Sequence, residues 1–469
     1  MNRRLAFLLP AILALGVACE QPFTLPDPAP PPPPLTLDAE LRQSLQRWFV
    51  IPIGPMPQQP PALVALGQAL LFDKELSGNR DVSCATCHEP ALTVGDGQSL
   101  SIGTGGTGAA PSRLLGKADQ FVPRNSPTLV NVGLGGQYIF WDGRVSRAGF
   151  VGPVGPPFPA PGQRFDTPAG AQLPQDIDEL LAAQAMFPVA NRTEMRGQAG
   201  DLDRFGNPNE LAAFADTNFT EIWRAVMRRL LAIPQYVTMF QAAFPGVSQS
   251  NLGFQHAAKA IAAFEKHAFT RTNSRFDRYL ARDDAALTTA EKRGAVLFFG
   301  RAGCGGCHNG ALLGGSSFAN VGAPQLGPGT GRGAPLDLGF GDRIEQPFYQ
   351  FAFRVAPLRN VELTAPYMHN GAYATLDAVV HHYSDVPFAQ RNYDVSQLAP
   401  ELRATHHGDE ATITRILSNL DFRVQRQQRF SEPEMQDLVA FLKSLTDPLA
   451  RDLSGIVPLS VPSGLPVRD

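Results

Sequence analysis

Apolar positions in this chain fall into helical stripes separated by long runs of turn formers. Leu63-Val64-x-Leu66-Gly67-x-Ala69-Leu70-Leu71-Phe72 has helical spacing and leads into a polar loop, Ser77-Gly78-Asn79-Arg80. Thr288-x-x-Glu291 is a capping box, and it opens a second stripe, Gly294-Ala295-Val296-Leu297-Phe298-Phe299. Gly67-x-x-Leu70-Leu71-Phe72 and Gly294-x-x-Leu297-Phe298-Phe299 form an internal repeat. Residues 219–245 and 251–282 carry Ala, Leu, Phe and Arg at helical spacing and predict connecting helices. Residues 432–446 predict a last helix, broken by Pro448. Residues 97–118, 145–174 and 321–341 are mostly turn formers and read as loops or insertions.

Each copy of the repeat runs into the same short motif, Cys84-Ala85-Thr86-Cys87-His88 and Cys304-Gly305-Gly306-Cys307-His308. Two thiols three residues apart can add to the two vinyl groups of one haem, and the next histidine then serves as proximal iron ligand. With five Cys and nine His in the chain, random placement gives about 0.001 copies of this pattern. A zinc site or a pair of redox dithiols competes for the same cysteines, but the histidine after each pair favours haem. The expected fold class is all-α, with two cytochrome c-like haem domains and long Gly/Pro-rich loops. The expected division is 37–285 for the N-terminal haem domain with its insertion and connecting helices. Residues 286–447 then form the C-terminal haem domain, and 448–469 a tail.

Composition narrows the setting. The content of 43% hydrophobic residues is that of a folded protein, and the net charge of −3 gives no reason to expect nucleic acid as a partner. Four of the five cysteines are taken by the two motifs, and the fifth is Cys19. Residues 1–18 read as an export signal, with Arg3 and Arg4 ahead of the apolar run Leu5 to Val17. Leu-Gly-Val-Ala-Cys19 fits a lipoprotein cleavage site that would anchor the chain through Cys19, and ordinary cleavage after Ala18 also fits. Either way the expected location is the periplasm. Residues 19–36 hold a polyproline run that reads as a stiff tether.

The order of motifs carries a resemblance. The first Cys-x-x-Cys-His is followed by Arg124-Asn125-Ser126-Pro127-Thr128-Leu129 and Phe140-Trp141-Asp142-Gly143-Arg144. After the second comes Leu358-Arg359-Asn360-Val361-Glu362-Leu363-Thr364-Ala365-Pro366-Tyr367-Met368-His369-Asn370-Gly371. This resembles the bacterial di-haem cytochrome c peroxidases and their MauG-like branch over roughly residues 45–445, apart from the Pro/Gly insertion after Arg144.

The resemblance implies two covalent haem c groups, with peroxide meeting the N-terminal haem and the C-terminal haem handling electrons. It implies catalytic roles for Gln184 and Glu194, ten residues apart with Pro188 between them, and a relay role for Trp141 between the haems. It also implies a calcium ion held by the Asn125 side chain and backbone oxygens of Thr364 and Pro366. Many relatives cap the first iron with a histidine from the loop after the first motif. This chain has no His from 89 to 255 and no Met from 89 to 185, so an open first haem is expected. The distal ligand of the second haem is expected fourteen residues after His369, which is Tyr383, with His381 and His382 as rivals. Met there is common in the peroxidases and Tyr marks the MauG-like branch. The implied partners are hydrogen peroxide and a small redox protein, cytochrome c or cupredoxin. Alternatively an exported protein is the substrate, its Tyr or Trp oxidised in cofactor maturation. A non-enzymatic di-haem electron carrier would need both irons closed.

Overall fold

The computed structural model describes residues 35–116, 121–147, 164–426 and 429–468. The expected export segment, Cys19 and nearly all of the proline tether lie outside the described residues, as does most of the 145–174 insertion. The chain divides into Met1–Thr36 and a compact unit, Leu37–Asp469. That unit is mainly helical, and its described strands are only two or three residues long.

The predicted helices form, with breaks where the local chemistry demands them. Pro61–Phe72 carries the first stripe and Thr289–Phe299 the second. In the capping box of the latter, Thr288 Oγ1 accepts from Glu291 N and Glu291 Oε2 accepts from Thr288 N. The 219–245 stretch is two helices, Phe219–Leu231 and Pro234–Ala243. Pro234 has no amide hydrogen to give to a continuing ladder, so it starts a new helix instead. The 251–282 stretch likewise resolves into Phe254–Ala268 and Arg275–Leu280, and the last helix is Glu432–Ser444.

The repeat has a packing reason. A Cβ on Gly67 would lie 1.9 Å from the Ala260 carbonyl oxygen, and one on Gly294 would lie 1.9 Å from that of Asp437. In both halves, the helix before the cysteine motif crosses a later helix backbone to backbone, and only glycine allows that approach. The aromatic residues of each stripe then seal the crossing. Phe72 meets Phe264 edge-on at 6.3 Å, and Phe298 and Phe299 both pack on Phe441.

Two large hydrophobic clusters result. One is built on Leu66, Leu70, Phe72, Ala260 and Phe264, the other on Phe298, Phe299, Leu438 and Phe441. They differ from the expected division at 285/286. Leu41 and Leu45 of the Leu37–Arg47 helix belong to the second cluster, as do Leu100 and Ile102. Leu453 and Val461 from the expected tail pack into the first. The ends of the chain therefore cross over, which local periodicity cannot show. The 145–174 stretch is also not all loop. Val145–Arg147 pairs antiparallel with Tyr138–Ile139 and with Phe165–Asp166, pinning both ends of the insertion.

Candidate functional site

Both cysteine motifs open onto cavities. Cys84, Cys87 and His88 line a cavity of about 570 Å³, and Cys304, Cys307 and His308 line one of about 280 Å³. None of these four thiols is in a disulfide. Among the described residues no three His, Cys, Asp or Glu side chains gather in a way that could hold a metal ion. Burial pushes the Cys84 and Cys304 thiols up to about 12 and that of Cys307 up to about 11. Such thiols are poor redox nucleophiles.

The histidines are set up as iron ligands. His88 Nδ1 lies 3.0 Å from the Val94 carbonyl oxygen and 3.2 Å from Ser126 Oγ, and His308 Nδ1 lies 3.0 Å from the Leu313 carbonyl oxygen. A carbonyl partner fixes the proton on Nδ1 and leaves the Nε2 lone pair for a metal. Burial lowers both imidazoles to about 4, so both are neutral. The donor set fits two covalently held haems.

The wall of the first cavity contains Gln184, Glu194 and Trp141 together. Gln184 sits near the end of the Leu180–Ala185 helix. Glu194 lies in the wide turn Arg192–Arg196, whose start is held by Asn191 Oδ1 accepting from the amides of Thr193 and Glu194. Burial raises the Glu194 carboxyl, and Arg144, with Nη2 at 3.8 Å, and Arg124 hold it back. Its proton affinity is therefore raised from the ordinary glutamate value, with burial the largest cause. Among the described residues of this wall, His88 is the sole histidine and Met195 the sole methionine.

Trp141 lines both cavities, and its Nε1 donates to the Asn125 carbonyl oxygen at 2.9 Å. In the second cavity Tyr383 faces the same space as Cys304, Cys307 and His308. Its two rivals do not. His382 is buried with Nδ1 2.8 Å from Tyr373 Oη and Nε2 2.8 Å from the Val321 carbonyl oxygen. His381 is 57% exposed on the outer surface, beside Glu432. Asn125, Thr364 and Pro366 all line the second cavity. Asn125 Nδ2 donates to the Gln98 carbonyl oxygen at 2.7 Å, which turns its Oδ1 away from that bond.

A family model for the di-haem cytochrome c peroxidases matches residues 61–285. The cytochrome-c peroxidase IdrP1 of Denitromonas iodatirespirans is 32% identical over 364 residues, covering 71% of this chain and 77% of that protein. The chain belongs to the di-haem cytochrome c peroxidase family. It is accordingly a haem peroxidase, an oxidoreductase acting on peroxide. The methylamine utilization protein MauG of Methylorubrum extorquens is 29% identical over 347 residues, 74% of this chain and 75% of that one. A solved MauG-like protein associated with microbial copper homeostasis superposes with a TM-score of 0.55 at 25% identity, over 86% of this chain and 95% of that one.

Several residues of the site had no assigned role in the sequence. Arg124 bridges the halves, with Nη1 2.6 Å from Asp142 and Nε 2.6 Å from Asp337. Ser126 supports His88, and the Asn125 amide donates to the His369 carbonyl oxygen at 2.8 Å. These explain why Arg-Asn-Ser-Pro stands as a block. Glu265 carried only a weak signal, a charge four residues after Ile261 on the buried face of its helix. It lines the first cavity, is 4% exposed, and its Oε2 has no hydrogen-bond partner.

Burial, with Glu179 adding to it, raises the Glu265 carboxyl to about 8. The folded chain thus holds this proton more tightly than the unfolded chain, so stability falls as pH climbs from the ordinary carboxyl range towards 8. Glu265→Gln is expected to remove that fall, raising stability at pH 8 by about 1–4 kcal/mol and leaving it nearly unchanged at pH 4. Thermal melts across that pH range check it. Equal effects at both pH values would mean Glu265 is ionised in the folded chain.

Proposed function

We propose that peroxide is cleaved in the Cys84–Cys87–His88 cavity by Glu194 and Gln184, with electrons drawn through Trp141 from the haem held by Cys304, Cys307 and His308. The two hydrophobic clusters then correspond to two haem domains. The observation that carries this reading is the meeting of Gln184, Glu194 and Trp141 in the wall of one cavity with the first motif.

Haems held by Cys84, Cys87 and His88 and by Cys304, Cys307 and His308 would supply redox-active iron and the electrons that reduce peroxide. The chain's own groups manage the protons. A Glu194 carboxylate oxygen takes the proton from the near oxygen of peroxide and returns it to the far oxygen as that leaves. Gln184, an amide that both donates and accepts, orients the peroxide. The Arg144 guanidinium beside Glu194 favours its ionised form, the form that acts as the base, against the effect of burial. The Trp141 ring, shared by both cavity walls, shortens the path for an electron into two hops. A calcium ion on Asn125 Oδ1 and the Thr364 and Pro366 carbonyls suits an oxygen-donor set and would stiffen the junction.

Tyr383 is the proposed distal ligand of the second haem. An anionic oxygen ligand favours higher iron oxidation states, which supports the second reading: the maturation of an exported partner protein through oxidation of its Tyr or Trp. A small redox protein as electron donor is the partner for peroxide removal. The proposed location is the periplasm, with an anchor at Cys19. Among the described residues no helix is long and apolar enough to cross a membrane.

The test is stopped-flow mixing of the as-isolated ferric protein with peroxide. An open first site reacts at once, without prior reduction. A reaction that appears only after one-electron reduction would show that the first iron is closed in the resting protein, and would sink this reading.

A further inference from the structure

Five arginines line the two cavities: Arg124, Arg144, Arg354, Arg359 and Arg423. Four have carboxylate partners. Arg124 pairs with Asp142 and Asp337, Arg144 with Asp142, Arg359 with Asp277 at 2.7 Å, and Arg423 with Asp421 at 2.8 Å. Arg354 has no carboxylate partner among the described residues. Its Nε donates to the Phe140 carbonyl oxygen at 3.2 Å and its amide to that of Trp141 at 2.7 Å. Arg354 lines both cavities.

The placement is fixed. Arg354 ends a short strand, Phe353–Arg354, paired with Phe318–Ala319, and the neighbouring Phe353 stacks on His369 with ring centroids 3.5 Å apart. Burial lowers Arg354 to about 10, so it is still charged at neutral pH. A half-buried guanidinium lining a cavity, its charge met by one carbonyl oxygen and by no carboxylate among the described residues, is left to be completed by an anion. Haem carries two carboxylates, the propionates, and a guanidinium matches a carboxylate with two parallel hydrogen bonds.

We propose that Arg354 binds a haem propionate at the junction of the two cavities, and that its charge raises the reduction potential of the haem it holds. The proposal rests on haem filling both cavities, which is checked separately by the mass of the denatured protein. It places a single positive charge next to the Trp141 backbone, where it biases electron transfer between the two centres.

The experiment compares wild type, Arg354→Gln and Arg354→Lys, each confirmed to carry two haems per chain. Spectroelectrochemical titration reads the potentials, and resonance Raman reads the propionate bending modes. The Gln variant is expected to show about a tenfold lower ferrous-to-ferric ratio for one haem at fixed potential, equivalent to about 59 mV, with a shifted propionate mode. Lys should restore most of the potential. Unchanged potentials in the Gln variant, or a Lys variant that falls as far as Gln, would overturn the proposal. A shifted potential with unmoved propionate modes would also overturn it, since the charge would then be answering another anion, such as chloride or phosphate from the buffer.

Discussion

Glu194→Gln is expected to slow the first reaction with peroxide by roughly 100- to 10,000-fold, with both haems still attached. The amide keeps the size of the carboxyl and its place in the Arg192–Arg196 turn, which is held by Asn191 rather than by the Glu194 side chain. It cannot take a proton from peroxide. The Arg144 guanidinium retains Asp142 as a partner at 3.2 Å, so the cavity wall should survive the change. Stopped-flow rates against peroxide concentration separate loss of chemistry from loss of binding. A wild-type rate would make Glu194 a bystander, and Glu265, the unpaired carboxyl in that wall, the group to test next.

Tyr383→Met is expected to raise the potential of the second haem by an amount on the order of a few hundred mV, because a thioether ligand favours ferrous iron where a phenolate favours ferric. Tyr383 is the one of the three rivals that faces Cys304, Cys307 and His308. Both nitrogens of His382 are spent on Tyr373 and Val321, and His381 points outward. Burial, with the nearby thiols adding to it, pushes the Tyr383 phenol well above its ordinary value. It is a neutral phenol until a cation in the cavity draws off its proton. With Met in its place the protein should behave as an ordinary cytochrome peroxidase, with a second haem easily held ferrous. A wild-type second haem that already titrates at the high potential of a His/Met pair would exclude Tyr383 as its ligand.

The helices and the two cysteine motifs were legible because their signals are local: a stripe, a capping box, a three-residue thiol spacing. The Gly67 and Gly294 repeat was visible too, though its cause, a backbone crossing with Ala260 and Asp437, lies about 190 and 140 residues further on. What stayed hidden depends on distant partners. The Leu37–Arg47 helix looks like the start of the first half, yet its leucines belong to the second cluster. Arg354 looks like any arginine in a strand until its lack of a carboxylate among the described residues is seen beside four paired neighbours. Strands of two or three residues, such as Phe165–Asp166, are too short to show alternation.

The resting protein is expected to offer peroxide an open iron at His88 beside a closed one at His308. EPR of the as-isolated ferric protein tests it most directly. One high-spin and one low-spin ferric haem in equal amounts are expected. Two low-spin signals would contradict it and would point to Met195, the methionine in the first cavity's wall, as a ligand that closes the site.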